Sequence, residues 1–267
     1  MEYVLPIVFF LLISLVAGVL LTVAGKLLYV KTDETVEKII SALPGANCSG
    51  CGYSGCEGYA NAVAKGEAAP NLCRPGGIEV NKKISEALGV AVVEVEPEVA
   101  FVRCGGGCGA TSDKYTYVGT PSCTAAEKFY NGKGSCAYGC SGFGDCAVVC
   151  ESDAISIQDG IAVINPSKCI ACGKCIKACP NNLIIMRKIS QTVNVRCFSS
   201  DTGKATRSIC KNGCIACKIC EKKCPNDAIH VVNNHAEIDP EKCTSCGICA
   251  EVCPSKCIVI QKECAKR

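Results

Sequence analysis

The sequence predicts an α+β chain in three parts: one membrane-spanning helix at the N-terminus, a small four-cysteine domain, and two tandem copies of a compact module built on closely spaced cysteines. Three observations carry this reading. The stretch VLPIVFFLLISLVAGVLLTVAG, from Val4 to Gly25, holds no charged side chain. The chain has 27 cysteines in 267 residues, with no Trp and two Met, so its cysteines take the place of a large aromatic core. Finally, Cys150 to Cys179 aligns without gaps on Cys224 to Cys253, which is an internal repeat.

The apolar stretch has only Ser14 and Thr22 as polar side chains, and it is long enough to cross a hydrocarbon core of about 30 Å at about 1.5 Å per residue. The preceding Met-Glu-Tyr carries no positive charge, which argues against a cleaved signal peptide. Lys26 and Lys31 follow the span and Glu2 precedes it. The positive-inside bias therefore predicts a single-pass protein of the inner (cytoplasmic) membrane, its remaining residues on the cytoplasmic side. Reducing conditions there disfavour disulfides. With no ionisable side chain inside it, the span makes an anchor and no ion path by itself.

The segment 31–90 follows the anchor at 1–30. Thr32 or Asp33 can cap a short helix that ends near Leu43, with Pro44 and Gly45 as its stop. Cys48, Cys51 and Cys56 then lie on a glycine-rich loop, and a helical stretch from Glu57 to Lys65 brings the chain back to Cys73. Three thiols on one loop and a fourth returning can hold a 4Fe-4S cluster. A zinc site from the same four residues is the alternative.

Residues 91–135 read as a connector. The run from Asn81 predicts a helix ending at Gly89, then one or two valine-rich strands before Val102. The string CGGGCGA contains a formal Gly-x-Gly-x-x-Ala match at Gly105, Gly107 and Ala110. It is set aside as a dinucleotide loop, since cysteines interrupt it and neither an amphipathic helix nor a strand-borne acidic residue follows.

The string CIACGKCIKACP, Cys169 to Pro180, is a Cys-x2-Cys-x2-Cys-x3-Cys-Pro run. It recurs at Cys214, Cys217, Cys220 and Cys224 and at Cys243, Cys246, Cys249 and Cys253, each followed by proline. This is the run of bacterial two-cluster ferredoxins, in which three thiolates bind one cluster and the fourth reaches the other. Zinc sites want two separated pairs instead. Between the runs, AISIQDGIAVINP and AIHVVNNHAEIDP read as hairpins around Asp-Gly and Asn-Asn turns. Ile155, Ile157, Val163, Ile164, Ile229, Val231 and Ile238 are expected to pack on the clusters.

Two ferredoxin-like modules, 136–190 and 191–267, follow from this. In the second, Cys214, Cys217, Cys220 and Cys253 are expected to form one set, and Cys224, Cys243, Cys246 and Cys249 the other. In the first, Cys169, Cys172 and Cys175 pair with Cys150, while Cys179 completes a set from Cys136, Cys140 and Cys146. The spacing of that last set is Cys-x3-Cys-x5-Cys-x3-Cys, and Glu151 stands where the other runs have proline. Five 4Fe-4S clusters follow. A sixth, nucleated by Cys104, Cys108 and Cys123, stays open beside the reading of these as free thiols, as do the roles of Cys197, Cys210, Cys257 and Cys264. The motifs VRCGGGC and VRCFSSD look like distant copies, one before each module.

One anchor, a Cys-x2-Cys-x4-Cys-x16-Cys domain, the segment CAYGCSGFGDCAVVC and tandem ferredoxin runs together resemble the B subunit of the Rnf complex, the membrane-bound ferredoxin:NAD oxidoreductase that pumps sodium ions or protons. The resemblance covers essentially the whole chain. It implies a subunit that takes electrons from reduced soluble ferredoxin and relays them to other subunits, which carry the flavin, NAD and ion chemistry.

Charge agrees with such a role. From Lys168 to Lys223 there are twelve Lys or Arg against Asp201 and Glu221, a formal +10, while Asp33 to Ala100 holds five basic and ten acidic residues. A basic face in 168–223 would steer an acidic ferredoxin. No aromatic platforms for nucleic acid, no phosphate loop and no nucleophile-base pair accompany it, so no catalytic residue is assigned, and His230 and His235 are read as surface or hairpin packing. A membrane-anchored redox sensor or scaffold, or an electron-transfer subunit of a hydrogenase or carbon monoxide dehydrogenase assembly, are the competing functions.

Overall fold

A computed structural model describes residues 4–27 and 33–261. Helix α1 (Val4–Leu27) keeps its large apolar side chains from Ile7 to Val23 exposed, and its residues Ile7–Lys26 are long and apolar enough to cross a membrane. Lys31 and Cys264 lie outside the described residues.

The four-cysteine domain is a three-helix cap over a loop. Asp33 accepts a hydrogen bond from the Thr35 amide at 3.0 Å and starts α2 (Glu34–Ala42). Helices α3 (Cys56–Ala64) and α4 (Gly77–Leu88) pack against it, α4 ending at the left-handed Gly89 (φ 68°). Val36, Ile39, Tyr59, Val63 and Ile84 form its core. Fully buried Tyr59 donates through its hydroxyl to the Ala69 carbonyl at 2.8 Å and accepts from the Leu72 amide at 3.1 Å, which fixes the chain just before Cys73.

The two modules that follow share one plan of short strands and one-turn helices. The first contains β1 (Glu98–Val102), α5 (Cys123–Tyr130), α6 (Asp145–Val148), the hairpin β2 (Ile155–Gln158) and β3 (Ile161–Ile164), α7 (Lys174–Ala178) and β4 (Ile184–Lys188). The second contains β5 (Val193–Val195), α8 (Gly203–Ile209), α9 (Ile219–Lys223), the hairpin β6 (Ile229–Val232) and β7 (His235–Ile238), α10 (Ile248–Glu251) and β8 (Ile258–Ile260). Both hairpins turn on two consecutive left-handed residues, Asp159–Gly160 and Asn233–Asn234, the geometry a two-residue hairpin loop requires.

In each module the first strand pairs antiparallel with the last. Glu98 to Val102 lies opposite Lys188 to Ile184, and Val193 to Val195 opposite Ile260 to Ile258. Strand β1 therefore belongs to the sheet of the first module, although composition marks 91–135 as a connector. Its partner is too far along the sequence for local pattern to reveal. Of the hairpin residues expected to pack inward, Ile229 is fully buried and Ile164 buried, whereas Ile157 is 37% exposed. The inward partner opposite Ile157 is Ala162.

Candidate metal centres

Each cysteine run turns on left-handed residues. Ala171 and Gly173, Ala216 and Lys218, and Ser245 and Gly247 have φ between 54° and 84° and bracket the middle cysteine of their runs. This winding turns the first three thiols of each run toward one pocket. The one-turn helices α7, α9 and α10 then carry the third cysteine and deliver the fourth at or just past their ends.

Five pockets formed in this way are lined by cysteines. Cys48, Cys51, Cys56 and Cys73 line one together with Leu43 and Tyr59. Cys150, Cys169, Cys172 and Cys175 line a second, closed by Ile155, Ile164 and Met186. In the C-terminal module, Cys214, Cys217, Cys220 and Cys253 share a pocket with Val231 and Ile258. Cys224, Cys243, Cys246 and Cys249 share another with Ile229 and Ile238. The fourth cysteine of each run thus stands with the other run's triplet.

The fifth set differs from its expectation by one residue. Cys140, Cys146 and Cys179 line their pocket with Cys123, and Cys136 lies elsewhere. The reason is a carboxylate. Asp145, next to Cys146, accepts from the amides of Cys123 and Thr124 at 2.9 Å each and from the hydroxyls of Ser122 and Thr124 at 3.0 and 2.9 Å. It satisfies the free N–H groups at the start of α5 and so ties Cys123 to Cys146. Burial works to raise the Asp145 carboxyl, and these hydrogen bonds together hold it below the usual carboxylate range. The sequence signal was Ser122, a helix cap ahead of Cys123, with Asn131–Gly132 as the stop.

Cys136 instead has Cys104, Cys197 and Cys210 as its neighbouring thiols. Cys108 joins none of these groups; its sulfur rests 2.8 Å from where a β-carbon on Gly160 would stand.

The pockets fit 4Fe-4S clusters better than single ions. Among the described residues, no three His, Cys, Asp or Glu side chains are arranged to hold one metal ion. Burial pushes the thiols of Cys146 and Cys175 up to about 12 and those of Cys140, Cys220 and Cys249 up to about 11, so only a strongly cationic core would hold them as thiolates at neutral pH. Backbone amides are aimed at sulfurs: Ala154 at Cys150, Leu183 at Cys179, Ala228 at Cys224 and Ser245 at Cys243, all at 3.3 to 3.4 Å. Such donors stabilise thiolate ligands and tune their potentials.

One buried thiol beside a pocket is an addition to the sequence reading. Cys257 occupies, after Cys253, the position that Ala154 and Ala228 hold after Cys150 and Cys224. Its sulfur lies 3.5 Å from that of Cys253. Its own thiol is pushed up, chiefly by hydrogen bonding to Cys214 and Cys253. The same hydrogen bonding lowers its neighbours, Cys214 to about 6 and Cys253 to about 5.

The basic stretch divides in three dimensions. Lys174 pairs with Glu151, Lys188 with Glu241 at 2.8 Å, and buried Arg187 hydrogen-bonds Gln191 and Gln261. Lys204, Arg207, Lys211, Lys218, Lys222 and Lys223 are exposed on and around α8 and α9, beside the exposed Cys217. The Gly105–Ala110 match opens no helix; Asn212 and Asp159 clasp it from either side.

Comparison with known proteins agrees with the thiol architecture. An iron-sulfur cluster family matches residues 43–75, a 4Fe-4S binding domain 162–185 and a 4Fe-4S dicluster domain 213–257. The chain is 41% identical over 230 residues to the B subunit of the Na(+)-translocating ferredoxin:NAD(+) oxidoreductase complex of Acetobacterium woodii, covering 86% of this chain and 69% of that one. It is 42% identical over 226 residues to the B subunit of the ion-translocating oxidoreductase complex of Methanosarcina acetivorans, covering 84% and 86%. The B subunit of the proton-translocating ferredoxin:NAD(+) oxidoreductase complex of Clostridium ljungdahlii is 37% identical over 230 residues, covering 85% and 81%.

Proposed function

The chain belongs to the B-subunit family of ion-translocating ferredoxin:NAD oxidoreductase complexes, and we propose how its own residues serve that role. It is an iron-sulfur electron-transfer subunit. Twenty thiolates hold five 4Fe-4S clusters: Cys48, Cys51, Cys56 and Cys73; Cys150, Cys169, Cys172 and Cys175; Cys123, Cys140, Cys146 and Cys179; Cys214, Cys217, Cys220 and Cys253; and Cys224, Cys243, Cys246 and Cys249. Bound, each cluster supplies a reversible one-electron couple. The protein orients the thiolates, aims amides at them and keeps water out with Ile155, Ile164, Ile229, Ile238 and Ile258.

The observation that carries this reading is the set of five pockets, four walled by four cysteines each and the fifth by Cys214, Cys217, Cys220 and Cys253 with Cys257 beside them. They are also close-packed. A β-carbon on Gly50 would stand 3.0 Å from the Cys172 carbonyl and 3.5 Å from the Cys48 sulfur, so the N-terminal domain sits directly on the first module. Glycine at 50 permits this approach.

Reduced ferredoxin docks at α9. Lys218, Lys222 and Lys223 are exposed there, one turn from Cys217, itself an exposed thiol of its set. Lys218 is held in the left-handed region (φ 59°) where the equivalent positions of the other runs are Gly173 and Gly247. A non-glycine residue there costs about 1 kcal/mol, which a docking charge would justify. The helix α1 anchors the chain, with residues 33–261 on the cytoplasmic side where soluble ferredoxin is found. Other subunits of the complex take the electrons onward.

Stopped-flow oxidation of reduced ferredoxin by the purified full chain tests the docking. K218E/K222E/K223E is expected to slow it at least tenfold at low salt and little at high salt. An unchanged rate at low salt would overturn the assignment of α9.

A further inference from the structure

Residues 90–97 join α4 to β1 and belong to no helix or strand, yet their composition is that of a strand. Val90, Val92, Val93 and Val95 stand in the seven residues before Pro97, and all four are 40 to 51% exposed. Valine is stiff at χ1 and favours extended chain. A row of water-facing valines leaves apolar area that burial would stabilise.

The segment is held from one side and open on the other. The Val90 amide donates to the Ser85 carbonyl at 3.0 Å, and Asn81 donates through Nδ2 to the Val93 carbonyl. Asn81 and Ser85 are themselves buried, with the Ser85 hydroxyl donating to Asn81 Oδ1 at 3.3 Å. Two buried polar side chains of α4 thus lay this stretch back along the helix. At its far end the Ile189 amide donates to the Pro97 carbonyl at 3.0 Å and the Ser190 amide to Glu96 Oε1 at 3.1 Å. Between these tethers the amides of residues 91–96 find no acceptor among the described residues. The left-handed Gly89 and Pro97, which lacks an amide proton, bound the row.

Charge selects what covers it. From 84 to 102 the chain has four Glu and no Lys or Arg. Glu98 pairs with Arg74, and Lys188, opposite Glu98 in β4, pairs with Glu241. The exposed Glu94 and Glu96 have no ion pair among the described residues. Side chains alternate along an extended chain, so Val93 and Val95 face one way and Glu94 and Glu96 the other. A second copy of this chain would set glutamates against one another. A strand that alternates apolar residues with Lys or Arg fits both rows, and its carbonyls meet the open amides.

We infer that residues 90–96 are a docking strand for an extended, basic segment of another subunit of the complex, which adds to them edge to edge. This rests on the chain's place in a multi-subunit complex.

Hydrogen exchange followed by mass spectrometry, on the isolated full-length chain and on the intact complex purified through a tag on this chain, tests it. The amides of 91–96 are expected to exchange about tenfold or more slower in the complex. In E94K/E96K that protection should be lost, with iron per chain unchanged. Equal exchange in the two wild-type samples would overturn the docking strand, and full protection in E94K/E96K would overturn its basic partner. Protection that grows with the concentration of the isolated chain would mean that a second copy pairs here instead. If no other subunit accompanies the tagged chain, the complex membership on which the inference rests is overturned.

Discussion

Cys257 shows how one side chain can set a property of a whole pocket. Its aligned counterparts Ala154 and Ala228 present only a backbone amide to the preceding cysteine; Cys257 adds a thiol within hydrogen-bond reach of the Cys253 sulfur, 3.5 Å away. Hydrogen bonds to ligand sulfurs stabilise the more negative, reduced state of a cluster and raise its potential. C257A, which installs the alanine found after Cys150 and Cys224, is expected to make the potential of this set more negative, on the order of tens of millivolts for the loss of one or two such donors. Redox titration followed by electron paramagnetic resonance measures it, with the other sets unchanged. A potential that stays put would show the thiol to be mere packing. The same residue marks a limit of sequence reasoning: a cysteine four positions past a run carries no spacing signal, and only its 2% exposure and its neighbours reveal it.

At the scale of elements, the runs and hairpins were legible because they are local. Cys-x2-Cys-x2-Cys-x3-Cys-Pro fixes one loop and one helical turn, and Asp159–Gly160 and Asn233–Asn234 fix two turns. Pairings between distant segments were not legible. Strands β1 and β5 are completed by β4 and β8, and the place of Cys123 depends on a carboxylate 22 residues later. Spacing favoured Cys136 because it is nearer in sequence; Asp145 and α5 favour Cys123 in space. D145A removes four hydrogen bonds at the start of α5 and is expected to cost about 1 to 2 kcal/mol. It should also lose about four iron per chain, whereas S156A, at an exposed position of β2 in the same module, should lose none. Full iron retention in D145A would mean that Cys123 needs no such tether.

Over the whole molecule, the three bodies are joined by contacts that also align their thiols. Arg74 of the four-cysteine domain pairs with Glu98 of β1 at 3.0 Å. Arg103 stacks 3.6 Å over the Phe198 ring, which meets the buried His235 edge-on at 5.0 Å, so the residues beside Cys104 and Cys197 lock the modules together. An anchor, a domain seated on the first module and a junction between modules suit an electron-transfer subunit whose cysteine sets are held in one packed body. The redox-sensor alternative would instead need an element with two arrangements. The most direct test is anaerobic mixing of reduced soluble ferredoxin with the full-length chain, counting the electrons it accepts. The account predicts that several electrons per chain are taken up and returned reversibly, with signals of more than one reduced cluster. Uptake of a single electron or none, at ferredoxin potentials, would contradict it.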